Sequence, residues 1–111
     1  MKEFVPLKQV VACRELEFVH SSDGSKEAVL VSIGVPFEEE KDIQWRCPYT
    51  IEAPSFKKSF GVAGADSMQA LLLTVSIMSS ELKALEKRHS GVFTQYGEPA
   101  TGFPERLEGT E

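Results

Sequence analysis

Two cysteines and two histidines are the side chains of this sequence best suited to covalent or proton-transfer chemistry: Cys13, Cys47, His20 and His89. A thiol beside an imidazole makes a nucleophile–base pair, because the imidazole takes the proton and leaves the reactive thiolate. Cys13 or Cys47 with His20 would make such a pair if the fold joined them, which the order along the chain does not show. Neither histidine belongs to a HxH or HxxxH arrangement, and the separation of the two thiols matches no metal motif. Two small buried thiols, and a histidine (His89) placed as a charge at a helix end, are the simpler reading. No catalytic residue, metal site or cofactor is expected on these grounds.

A second kind of chemistry is anion capture. Gly61-Val62-Ala63-Gly64-Ala65-Asp66-Ser67 is a glycine-containing turn running into a helix start, and free amides at such a start attract negative charge. No Lys-Ser/Thr follows the second glycine, and the spacing is not GxGxxG. Asp66 itself stands where an anion would sit, so a tight turn with its own cap is the favoured reading. Trp45, Cys47 and Tyr49 share one strand face and could line a pocket, although an aromatic row at period two is usually core. A ligand site, if the chain has one, is therefore expected between the sheet and the helix start, using Trp45, Cys47, Tyr49, Asp66 and Ser67.

The elements that would position these residues read clearly. Val10 to His20 is rich in β-branched and aromatic residues, with Val10, Ala12, Leu16 and Phe18 on one side and Arg14 interrupting them. Ser21 to Ser25 is a turn. A strand from Glu27 to Gly34 follows, apolar on both faces through Val29, Val31, Ile33 and Ala28, Leu30, as expected of a strand covered on both sides. The acidic run Glu38-Glu39-Glu40 with Asp42 reads as a solvated loop. Trp45, Cys47, Tyr49 and Ile51 then alternate with Gln44, Arg46, Thr50 and Glu52, one face to the core and one to water. Pro48 predicts an edge, a bulge or an unpaired position within that strand. Phe56 to Val62 forms a further strand with Lys58 out of pattern.

The period then changes to 3.6. Asp66 with Gln69 three residues on predicts a capping box, and Met68, Leu71, Val75, Met78, Leu82 and Leu85 fall on one helical face. The spacing predicts a helix over Asp66–Arg88, closed by Lys87, Arg88, His89 and Gly91. A narrower stripe, Ala70, Leu73, Ile77 and Ala84, lies on the far side and needs a cover. A folded-back tail anchored by Phe103 would supply it, as would a homodimer through the Leu73/Ile77 stripe; of the two, the dimer is favoured. Val92 to Tyr96 predicts a short last strand.

Composition bounds the function. The chain has 111 residues, 41% hydrophobic and 26% charged, enough for one domain with one core. Residues 1–8 read as an irregular lead-in and 105–111 as a solvated end. The balance of 12 Lys+Arg against 17 Asp+Glu, a net of −5, argues against nucleic acid, which needs a basic surface. No stretch is long and apolar enough for a membrane span. Val10-Val11-Ala12-Cys13 has the outline of a lipoprotein cleavage site, but Glu3, Pro6, Lys8 and Gln9 interrupt the apolar segment that should precede it. An unprocessed cytoplasmic protein is expected.

Arg14-Glu15-Leu16, Ile33-Gly34-Val35-Pro36, Trp45-Arg46-Cys47-Pro48-Tyr49-Thr50-Ile51, Gly61 to Gly64, Asp66-Ser67-Met68-Gln69-Ala70-Leu71 and Gly102-Phe103-Pro104 follow one order. Together they resemble a family of small bacterial proteins classed only as a domain of unknown function. The resemblance spans about residues 10 to 104. It implies a twisted antiparallel sheet against one long helix, and no reaction, ligand or catalytic residue.

The expected fold is α+β: a single antiparallel sheet of four or five strands, a meander, packed on the Asp66–Arg88 helix. The expected function is a non-catalytic protein-interaction or regulatory, immunity-like module, with a protein partner or a second copy held through the helix stripe or an edge strand. The alternative is a small enzyme or small-molecule binder using the site named above.

Overall fold

The computed structural model describes residues 9–104, so the expected lead-in at 1–8 and solvated end at 105–111 lie outside the described residues. Among these residues the chain forms β1 (Val10–His20), β2 (Lys26–Gly34), β3 (Phe37–Glu40), β4 (Gln44–Glu52), β5 (Lys57–Gly64), α1 (Ser67–His89) and β6 (Gly91–Thr94). The strands make one antiparallel sheet with α1 packed on one face, as the α+β expectation required.

The strand number is six, not four or five. The extra strand is β3, which the acidic run had disguised as a loop. Its alternation is invisible because all of its residues are exposed; what holds it is pairing with β4, Phe37 opposite Arg46 and Glu38 opposite Trp45. Glu39 adds a clamp, its Oε1 accepting from Arg46 Nε at 2.9 Å and Nη2 at 2.8 Å and from Gln44 Nε2 at 2.6 Å. These donors hold the Glu39 carboxyl below the usual carboxylate range.

β2 and β3 lie on the same edge of β4, with β5 on the other. Ile33 faces Tyr49 and Phe37 faces Arg46, so the ladder is broken at Gly34–Pro36, opposite Cys47 and Pro48. Pro48 has no N–H to give, and it falls where β4 lacks a ladder partner on that side. On the far side of β2, β1 pairs along its length, and β6 then pairs with Glu17–His20 of β1.

The cap of α1 forms as its sequence predicts. Asp66 Oδ1 accepts from Gln69 N–H at 2.7 Å, and Gln69 Oε1 reaches back to Ala65 N–H at 2.6 Å. The helix ends one residue later than Arg88, and the left-handed cap is Ser90 (φ 56) rather than Gly91, which instead begins β6. Gly91 is required there for another reason: a Cβ would strike the Phe18 ring and the Val19 carbonyl.

The buried face of α1 is rotated from the expected one. Ala70, Thr74, Met78, Ser79, Leu82 and Leu85 are buried, Leu71 and Val75 are half-buried, and Met68 is 62% exposed. Ala70 thus leaves the outward stripe to which its apolar character had assigned it. The cause is Gly64, whose missing Cβ would lie 2.5 Å from Ala70 N; the helix start sits directly on β5. Ala84 is exposed, Ile77 half-buried, and Leu73 remains 40% exposed.

Between sheet and helix the core holds Phe18, Val31, Tyr49, Ile51, Met78, Leu82 and Phe93. Each such side chain contributes about 1.5–3 kcal/mol by leaving water. Phe18 meets Phe93 and Phe56 edge-on at 4.9 and 5.3 Å, and Phe56 stacks on His89 at 4.4 Å. Lys58, out of pattern in the sequence, points at α1 and pairs with Glu81 at 2.5 Å. No helix of the described residues is long and apolar enough to cross a membrane.

Candidate functional site

The residues singled out by sequence differ in burial, and register sets Trp45 opposite Gly64, just before the helix start. Cys47 and Tyr49 are buried in the core, Trp45 packs half-buried against it, and Asp66 and Ser67 are exposed at the start of α1. Cys47 donates to the Gly34 carbonyl at 3.6 Å, across the break in the ladder. Burial pushes its thiol up, and the Thr74 hydroxyl beside it offsets this only in part. Such a thiol is a poor nucleophile at neutral pH. Burial and the facing Glu81 carboxylate push the Tyr49 hydroxyl far above the ordinary phenol range. Tyr49, Glu81 and Lys58 together form a polar seam between β4, β5 and α1, an internal arrangement with structural work to do. Asp66 is committed to its own helix.

Cys13, the other thiol, is exposed on β1, on the sheet face away from α1. His20 is in a different place, at the end of β1. Its Nε2 lies 2.5 Å from Glu27 Oε2, which also accepts from Ser55 Oγ at 2.6 Å, while Oε1 accepts from Ser55 N–H at 3.0 Å. Hydroxyl, carboxylate and imidazole are all present, but the carboxylate stands between the other two. His20 therefore does not meet the Ser55 hydroxyl, as a serine nucleophile's base must. What the arrangement does is tie the turn between β4 and β5 to β2.

The sheet face opposite α1 is where the structure leaves surface available. The expectation that β2 is covered on both sides fails: Ala28 and Leu30 are exposed. Cross-strand register assembles this face in rows. Cys13, Ser32, Thr50 and Ser59 form one row across β1, β2, β4 and β5, and Glu15, Leu30, Glu52 and Lys57 form the next. Over the β1–β2 side of these rows lies a cleft of about 1070 Å³, lined by Cys13, Glu15, Glu17, Leu30, Glu52 and Tyr96 among others.

Tyr96 forms one wall through an unusual turn. Gln95 N–H donates to Glu98 O at 2.9 Å and Glu98 N–H to Gln95 O at 3.0 Å, leaving Tyr96 and Gly97 as a two-residue loop. Both have positive φ, 53° and 81°, as a type I′ turn demands. Glycine accepts that conformation freely; tyrosine does not. Its ring is nonetheless held outward, 94% exposed. Chemically, the cleft offers three carboxylates, an aliphatic floor at Leu30 and an aromatic post; its one cation among the described residues, Arg14, has its guanidinium engaged by the Thr101 carbonyl and the Phe103 ring. That combination suits a cationic, extended ligand, since carboxylates attract the charge and a ring packs the stem that carries it. Three signals of this site were in the sequence, namely the Glu15/Glu17 alternation, the apolar second face of β2 and the Tyr-Gly pair, but only the sheet register joins them.

On the other face the end of the described chain returns to β1. Arg14 donates from Nη1 to the Thr101 carbonyl at 2.9 Å and lies 4.8 Å over the Phe103 ring. The folded-back segment anchored by Phe103 is thus present, and it seats on Arg14 while Leu73 stays exposed.

A protein-family model described as a domain of unknown function (DUF6968) matches residues 12–105. No curated protein and no solved structure matches the chain.

Proposed function

Since the chain belongs to the DUF6968 family, whose description assigns no function, we propose its role from the site alone: a non-catalytic, regulatory or immunity-like module that holds a protein partner on the open face of its sheet. The observation that carries this reading is the cleft beside Tyr96, where Glu15, Glu17 and Glu52 are gathered on a face that no second layer covers among the described residues. Exposed aromatic side chains presented by a rigid turn are common anchors of protein interfaces. The buried state of Cys47 and Tyr49 also speaks against the alternative of a small enzyme built on them. Two free thiols agree with a reducing, cytoplasmic setting.

The test is capture from lysate by the tagged protein and by its Leu30→Arg/Tyr96→Ala variant, with bound material identified by mass spectrometry. A stoichiometric partner held by the first and lost by the second supports the reading. A partner held equally by both overturns it.

A second reading, a homodimer through α1, has its own observation. Met68, Leu72 and Leu73 are exposed at 62%, 59% and 40% on the outward side of the helix, around a shallow, open depression that Ser76 also lines. Sedimentation of the Leu72→Glu/Leu73→Glu variant beside the parent chain tests it; loss of a dimer supports the reading and a parent monomer ends it.

A further inference from the structure

We propose that the free edge of β1, centred on Ala12–Leu16, takes up an extended basic segment of a partner protein as an added strand, its cationic side chains meeting Glu15 and Glu17. The proposal rests on the open-face reading and names the partner's chemistry.

Three observations lead to it. First, β6 pairs only with Glu17–His20, and the chain then turns away through Gln95–Glu98. Among the described residues, β1 before Glu17 therefore has a strand partner on its β2 side alone. A strand edge in that state presents unpaired amides and carbonyls that a further strand can take up. The neighbouring edge of β6 is already answered from within, because Phe93 N–H donates to Glu86 Oε2 at 2.8 Å. The register slips between Val10 and Ala12, so the regular part of the free edge starts at Ala12.

Second, the edges at β1 and β5 differ in kind, and β3, whose outer side is also unpaired among the described residues, is only four residues long. The far strand, β5, carries Lys57, Lys58 and two glycines, and lysine on an edge is one of the devices that discourage pairing. Ala12 to Leu16 contains neither lysine nor proline.

Third, the charge of the edge is sorted by face. Arg14, its one cation, points to the α1 side and is engaged by Thr101 and Phe103. On the open side stand Cys13, Glu15 and Glu17, with Tyr96 at the end of the same cleft. An added strand that alternates in step with β1 would set every second side chain against this acidic row. A second copy of this chain, at net −5, would bring its own carboxylates to the same row, so charge favours a basic occupant over a self-pair.

The experiment uses the ¹⁵N-labelled full chain and a blocked heptapeptide of alternating lysine and threonine. A version methylated on alternate backbone nitrogens and a glutamate–threonine version are run beside it. The expected result is perturbation of the Ala12–Glu17 amides by the lysine peptide, no binding of the glutamate peptide, and loss of binding on backbone methylation. Binding weakens about tenfold in the Glu15→Gln/Glu17→Gln variant, whose fold is checked by its amide spectrum. Equal binding of the methylated peptide overturns strand addition while leaving the open-face reading intact. Failure of the lysine peptide to bind, or shifts confined to α1, overturns the proposal outright. Failure of the open-face reading shows separately, as a captured partner indifferent to Leu30→Arg/Tyr96→Ala.

Discussion

Glu27 takes both donors of Ser55, the N–H on Oε1 at 3.0 Å and the hydroxyl on Oε2 at 2.6 Å, and so fastens the β4–β5 turn to a strand distant in sequence. The Ser55 hydroxyl first, and then His20, hold the Glu27 carboxyl below its ordinary value of 4.5. A carboxyl lowered in the folded state contributes stability above its unfolded value, and the contribution is lost as pH falls through the folded value. Glu27→Ala is expected to cost about 0.5–1.5 kcal/mol at neutral pH, the net range for a hydrogen bond whose donors are left to water. Below pH 4.5 the difference from the parent should shrink. Urea unfolding at several pH values measures both; a constant difference down to strongly acid pH would contradict the assignment.

Gly91 makes a second expectation. Because its Cβ position is filled by Phe18 and the Val19 carbonyl, Gly91→Ala must push apart β1 and β6 at the core. The expected loss is about 1–3 kcal/mol, as for other overpacked sites. Gly24 is the control: nothing lies near its Cβ position, although its φ of +75° adds strain of a different origin. A thermal melt of Gly91→Ala coinciding with the parent would refute the packing there.

Tyr96 occupies a conformation that asparagine tolerates better. Tyr96→Asn should therefore stabilise the chain by about 1 kcal/mol, through relief of the left-handed strain. The same substitution removes the aromatic post of the cleft and should weaken partner capture. Stability up and binding down, measured on one variant, is the signature of a residue kept for its surface. An unchanged or lowered urea midpoint would contradict it.

The two thiols should separate by access. Cys13 is exposed and Cys47 buried, so a coloured thiol reagent should titrate one thiol per native chain and two after unfolding. Two fast-reacting thiols in the native protein would show that β4 opens far more readily than its packing implies.

Most of the architecture was legible because its signals are local. The period-two strand at Trp45–Ile51 and the Asp66/Gln69 cap needed no partner to be read, and the structure has both. The misreadings involve residues whose role is set by a distant contact. Glu38–Glu40 is a strand only because β4 pairs with it. Ala70 and Thr74 are buried because Gly64 lets the helix approach, and small or polar side chains carry little weight in an apolar pattern. The open face follows the same rule. Ala28 and Leu30 look like covered positions, but the described residues supply one helix, on the other face of the sheet.

The interrupted ladder beside β4 has a consequence for motion. One half of β4, Tyr49–Glu52, is locked between β2 and β5, while the other, Gln44–Arg46, has the exposed β3 on that side. Between them Cys47 and Pro48 have no ladder partner on that side, although β5 pairs with both on the other. The start of β4 stays paired with β5, Trp45 opposite Gly64 and Arg46 opposite Ala63, while β3, exposed along its length and paired with β4 alone among the described residues, can thus open by itself. In native-state hydrogen exchange its amides should report a low, local free energy of opening, and those of β2 the full global value. The molecule is in this sense a stiff body with one short flap, β3, hinged at Gly34–Pro36.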